Sequence, residues 1–323
     1  LDVAPQNKTP VQNSNSDTKK SVCTSLLSVP KKSLDSPFIY PNLVEEFYRS
    51  FCTFNQPYAW FDENGTLSIN GKNLLLKIQE SKLHGLDPSS YHFDSINTIL
   101  AQLDDRPFFT SKDPSLITQL DLMLTDAYFA LTHDHYTGIT DWQKYRTQKV
   151  GSRSIEWDRP LKKEFNWPNY LLTNLTNQNI STSVDTLIPT LDQYQQLLKA
   201  YAFYITLSET KEWQPISLGL SICYKSNDIR LPQIKQRLYD LGILKTIDVI
   251  EYTIYDEESV IKAIKLFQLS HQLTPDGIIG DKTIIEMNIL PKVRAKTIAI
   301  NLERLRWEKT NYETLPLYFF VNI

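Results

Sequence analysis

Three cysteines, five histidines and several adjacent acidic pairs are the residues of this chain whose types could carry out chemistry. A cysteine nucleophile needs a neighbouring base, and backbone amides for the oxyanion that its attack creates. Cys23, Cys52 and Cys223 stand in Ser21-Val22-Cys23-Thr24, Ser50-Phe51-Cys52-Thr53 and Ser221-Ile222-Cys223-Tyr224, with no glycine before and no arginine after any of them. They form no C-x-x-C pair, so neither a zinc knuckle nor a disulfide framework is signalled, and they read as small buried hydrophobes plus one tail cysteine. His133-Asp134-His135 is the one histidine cluster. On a helix its two imidazoles point to different faces, so it reads as a solvated helix end and not as a metal site. Glu45-Glu46, Asp104-Asp105 and Glu257-Glu258 are neighbours in sequence and read as solvated faces, whereas a glycosidase needs two carboxyls converging across a cleft. The chain therefore offers no catalytic residue, no metal site and no cofactor motif.

The other chemical feature is a turn. In the stretch 260–289, Ile261, Ile264, Leu266, Phe267 and Leu269 fall near helical spacing, with Lys262, Lys265 and Gln268 between them on a wet face. Pro275-Asp276-Gly277 breaks the period. Gly280, Asp281 and Thr283 restart a helix whose Ile284, Ile285 and Met287 face back toward the first, which predicts a helical hairpin around an exposed turn.

The elements that must position this hairpin run through the chain in order. Residues 1–36 are rich in Asn, Ser, Thr, Gln, Lys and Pro, and predict a flexible tail. From Pro41, Leu43, Val44, Phe47, Tyr48, Phe51 and Phe54 mark a core-facing helix. An aromatic extended piece, Tyr58-Ala59-Trp60-Phe61, leads into a polar turn at 62–65. Helices follow over 73–84, capped by Gly85, and over 94–104. The longest periodic run, 114–136, is capped by Asp113 and reads as a central helix. Residues 142–183 hold Trp142, Trp157 and Trp167 among polar residues and prolines, and predict irregular loop with short structured pieces. Helices resume over 190–207, near Ile234 to Gly242, and from Pro291 to Trp307, while 245–256 reads as a loop insertion. The fold class is mainly α.

Three sets of these residues carry a resemblance. Ala263-Ile264-Lys265-Leu266-Phe267-Gln268, then His271, Leu273, Asp276-Gly277-Ile278-Ile279-Gly280, Thr283 and Asn288, resembles the A-V-x-x-F-Q-x-x-H-G-L-x-x-D-G-x-I-G-x-x-T-x-x-x-L-N pattern of the small three-helix peptidoglycan-binding domain. Gln272 departs from it, standing where that family usually has glycine, and Ser221 to Tyr224 replace the family's glycine-rich opening. Trp60, Gly65, Leu67, His84-Gly85-Leu86-Asp87-Pro88, Tyr91-His92, Asp121, Leu124-Thr125-Asp126-Ala127 and Gly138 are similar to the scaffold domain of the long, YcbB-type L,D-transpeptidases, and Pro189 to Tyr201 continue the likeness. Asn301-Leu302-Glu303-Arg304-Leu305-Arg306-Trp307 resembles the N-x-E-R-x-R-W connector of the same family.

The resemblance implies a tail (1–36), a helical scaffold domain (37–214), a small three-helix peptidoglycan-binding domain (215–290), a connector helix (291–310) and the first strand of a catalytic domain (311–323). The family's nucleophile lies in an S-x-G-C-[IV]-R loop, and its histidine motif also lies downstream of that strand. Neither motif occurs here, so the expected role is non-catalytic: placing a transpeptidase on the wall in the periplasm or cell envelope. A stand-alone wall-binding adaptor and a cell-wall hydrolase are the alternatives. The groove beside the turn is associated with the glycan-peptide polymer in that family, which implies Asp276, Gly277, Gly280 and Thr283 as peptidoglycan-binding residues.

Composition is consistent with this partner. The 323 residues are 41% apolar, enough for about two cored domains. A formal charge of −3 provides no basic footprint for nucleic acid, and no apolar run approaches the roughly 18 residues of a membrane helix.

Overall fold

The computed structural model describes residues 38–54, 56–104, 113–141, 149–150, 153–154, 165–246 and 251–307. The predicted tail, the expected strand at 311–323, and Trp142 and Trp157 lie outside them. The described residues are mainly α-helical: α1 (Pro41–Phe51), α2 (Ile69–Glu80), α3 (Phe93–Asp104), α4 (Pro114–Thr137), α5 (Trp167–Thr176), α6 (Ile180–Asp185), α7 (Asp192–Thr210), α8 (Leu231–Asp240), α9 (Glu258–Ser270), α10 (Asp281–Met287) and α11 (Pro291–Trp307). One short antiparallel ladder pairs Lys149–Val150 with Arg153–Ser154. The chain divides into two compact units, one of residues 1–195 with 301–323 and one of 196–300.

In the first unit, α1 buries Val44, Phe47, Tyr48 and Phe51, a stripe at i, i+3, i+4 and i+7, against α4 and α5. Asp113 caps α4 through its carboxylate, which accepts from Ser115 N at 2.9 Å. Among the polar side chains that α4 buries, Asp121, Thr125 and Asp126 bind the segments that pack on it. Asp121 accepts from Tyr48 Oη (2.6 Å), Ala59 N (3.0 Å) and Trp60 N (2.8 Å). Thr125 Oγ1 accepts from Trp60 Nε1 (2.8 Å), and Asp126 binds Ile39 N, Tyr40 N and His92 Nε2. These bonds draw the extended segments around 39 and 60 onto α4, because a buried carboxylate without donors would cost several kcal/mol. The motif residues Asp121, Thr125 and Asp126 are thus the polar framework of the unit.

The short structured pieces expected in 142–183 are α5 and most of α6: Asn166 Oδ1 caps Asn169 N at 3.0 Å, and Leu171 and Leu175 form a stripe that the surrounding Asn and Thr residues conceal. Two expectations are corrected here. His133-Asp134-His135 is not a solvated helix end. His135 is buried with its ring 5.0 Å from that of His84, Asp134 accepts from Tyr91 Oη (2.9 Å), and His133 packs near Tyr40 and Trp167. Burial holds the His135 and His84 imidazoles below their ordinary values, His84 at about 4 with the Arg306 guanidinium as second cause. Cys52 is disulfide-bonded and Cys223 is exposed and free. An odd cysteine count conceals one pair plus a remainder, since pairing depends on distances in space that sequence spacing does not reveal.

The last turns of α11 belong to the first unit. Glu303 accepts from Thr140 N and Oγ1 (both 3.0 Å), from Trp307 Nε1 (2.8 Å) and from Arg306 Nη1 (3.2 Å). Arg306 is 1% exposed and donates to the His84 carbonyl. Gly138 has φ +81°, and a Cβ there would lie 2.5 Å from Glu303 Oε1 and 2.8 Å from Trp307 Nε1. The His84-Gly85 segment, Gly138 and the Glu303, Arg306 and Trp307 side chains therefore meet at one place.

The second unit holds α8, α9 and α10 around Leu231, Ile234, Leu238, Ile264, Phe267 and Ile284. The end of the 245–256 segment is extended, Ile254 pairing with Asn227, and the buried Lys235 ammonium donates to Tyr252 O (2.9 Å) and to Glu257 (3.0 and 3.1 Å). Asn288 makes paired 2.8 Å bonds with the backbone of Ile216 and so joins the two ends of the unit.

Candidate functional site

The hairpin is built from α9, the turn at Thr274 to Gly280, and α10. On α9 the buried stripe is Val260, Ala263, Ile264 and Phe267. Leu266 and Leu269, expected on that face, are 53% and 63% exposed, and Ile285 on α10 is likewise exposed at 54%. The two leucines fall outside the arc that starts at Val260, and Ile285 falls outside the α10 face of Thr283, Ile284 and Met287. Gln268, expected on the wet face, is buried instead, since it lies eight residues after Val260 and so on the same stripe.

The Gln268 side chain organises the turn. Its Nε2 donates to Asp276 Oδ1 (3.0 Å), Ile278 O (2.9 Å) and Thr283 Oγ1 (3.3 Å), and its Oε1 accepts from Gly277 N (2.9 Å). One amide thus uses both its donor and acceptor capacity on the turn and on α10. Asp276 Oδ1 also accepts from Ile278 N at 2.8 Å, an Asx turn, and Gly277 takes φ +81°. Tyr255 Oη donates to Gly277 O at 2.8 Å. The Tyr255 phenol is pushed up to about 12 by burial and then by the Asp276 charge.

The four residues singled out in the sequence therefore sit differently. Asp276 and Gly277 line a surface groove of about 460 Å³ together with Tyr224, Tyr255, Asp256, Glu258, Ile261, Lys265 and Ile278. Thr283 is buried at 4% exposure and bonds inward to Gln268, and Gly280 is the N-cap of α10. The sequence reading did not single out Tyr224, Gln268 or Lys265. For Gln268 the signal was its register with the stripe.

The second wall of the groove comes from the segment before α8. Ile222 and Ile279 exchange two backbone bonds of 3.1 Å. Cys223 to Ser226 then turn, Ser226 N donating to Cys223 O at 2.9 Å, and Lys225 N donates to Tyr255 O at 2.7 Å. The turn between these two clamps carries Tyr224.

Residues 42–200 match the scaffold domain family, and residues 229–287 match the peptidoglycan binding domain family. The chain has the scaffold-plus-peptidoglycan-binding architecture of the YcbB-type L,D-transpeptidases. No curated protein matches it significantly. The two domains give it a peptidoglycan-binding role in cell-wall metabolism, and the groove just described lies in the peptidoglycan-binding domain. Among the described residues, no helix is long and apolar enough to cross a membrane, and no three His, Cys, Asp or Glu side chains are grouped to hold a metal.

Proposed function

We propose that this chain is the wall-gripping front part of a periplasmic L,D-transpeptidase, holding peptidoglycan in the groove beside Asp276 and Gly277 while the scaffold supports a catalytic domain. The observation that carries this reading is the groove itself: an exposed concavity with apolar walls and a few oriented polar groups, on the domain that matches a peptidoglycan-binding family. Asp276 and Gly277 contact the polymer; Gly280 and Thr283 hold the turn in place. The disulfide at Cys52 suits an oxidising compartment such as the periplasm.

The test is co-sedimentation of the full chain with purified sacculi. The chain pellets with them, and Asp276→Asn, which keeps an oxygen for Gln268 and Ile278 but removes the charge, weakens retention about fivefold, roughly 1 kcal/mol, with an unchanged melting temperature. A chain that stays in the supernatant overturns the reading. The catalytic part is tested separately: a native reading frame that continues past Ile323 into the histidine and S-x-G-C motifs supports it, and a stop codon there supports an adaptor instead.

A further inference from the structure

We propose that Tyr224 is a stacking platform for the sugar backbone of the wall polymer, so that the groove selects glycan over stem peptide; this rests on the peptidoglycan-binding reading above. Tyr224 is 57% exposed, lines the groove, and sits in a turn whose backbone is clamped on either side. Lys225 holds φ +68°, which aims the turn, and its ammonium lies 5.4 Å from the Tyr224 ring centroid. A large aromatic ring presented beside a groove by a fixed backbone is a contact surface whose main-chain ordering cost is already met.

The rest of the groove selects among the parts of the polymer. Ile261 and Ile278 supply apolar wall, and Asp256, Glu258 and Asp276 supply carboxylate oxygens, with Glu258 paired to Lys262 at 2.7 Å and Lys265 and Lys225 adding ammonium groups at the groove. A pyranose ring has a C–H face that lies on an aromatic ring and an edge of hydroxyl and acetamido donors that carboxylates accept. Tyr224 and these acceptors together therefore fit the sugar backbone, whose C–H face the stem peptide does not offer.

Full-length chain is tested by co-sedimentation or calorimetry against three probes: intact sacculi, glycan strands stripped of peptides by an amidase, and the released peptides. The expected result is binding to sacculi and to stripped strands but not to free peptides. Tyr224→Ala loses about tenfold on both binding probes, and Tyr224→Phe keeps wild-type binding because the ring remains. Circular dichroism of both variants should match the wild type. Binding to sacculi with none to stripped strands overturns the glycan assignment and leaves the peptidoglycan reading standing, as does wild-type binding by Tyr224→Ala. Binding to none of the three overturns both.

Discussion

Gln272 occupies the left-handed region at φ +58°, closing α9. Leu273 N bonds Gln268 O (2.8 Å) and Gln272 N bonds Leu269 O (3.2 Å), the paired bonds of a Schellman cap, in which the left-handed residue is usually glycine. A non-glycine residue there costs about 1 kcal/mol, part of which glycine returns as unfolded-chain entropy. Gln272→Gly is therefore expected to stabilise the second unit by about 0.5–1 kcal/mol, read as a higher denaturant midpoint at constant slope; a lower midpoint would show that the glutamine side chain makes a contact worth more than the strain. The Asp276-Gly277 turn, the Asp113 cap and the Gly85 stop were legible as local chemistry. Gln268 and Asp121 were not, because a polar side chain is judged wet until its partners are known, and Asp121 finds its donor Trp60 61 residues away.

Among the elements, the last turns of α11 are held by side chains that the sequence shows only as a motif. Gly138 admits Glu303 and Trp307 closely, at a φ that a side chain tolerates poorly. Gly138→Ala combines that strain with displacement of the Glu303 carboxylate from Thr140. A loss of about 2–3 kcal/mol is expected in chemical denaturation, together with faster proteolysis between Asn301 and Trp307. Unchanged stability would mean that the helix end is held elsewhere. Helices with uninterrupted apolar stripes, α1, α3 and α4, were legible at this scale. α5 and α6 were legible only as short structured pieces, without type or bounds, because their stripes are short and set among Asn and Thr, residues with a strong preference for caps and turns.

Across the whole molecule, the acid response is set by buried groups of opposite sense. Burial raises the Asp121 carboxyl from 3.8 to about 6, against the donors that lower it, so ionising it in the fold costs stability, which falls as pH rises between about 4 and 6. His84 is lowered to about 4 by burial and then by Arg306, with Lys77 acting the same way and Asp185 and Glu80 opposing. The unfolded chain binds its proton first, so this contribution rises with pH from about 4 to 6.5. The two partly cancel. Asp121→Asn, less stable overall, should therefore gain more stability than the wild type between pH 4 and pH 6.5 in urea titrations; a flatter profile in the variant would reverse the assignment. The helical fold class and the order of the two domains were legible, because both rest on long periodic runs. The disulfide at Cys52 was not, since it depends on a meeting in space.

The contact between Arg306 and the His84 carbonyl joins residues 222 positions apart. During synthesis the ribosome must make the whole peptidoglycan-binding module before Arg306 exists. The first unit therefore cannot close that contact until the second has emerged, and the second can fold while the first is still incomplete. The order of synthesis thus lets the peptidoglycan-binding domain fold before the scaffold is finished.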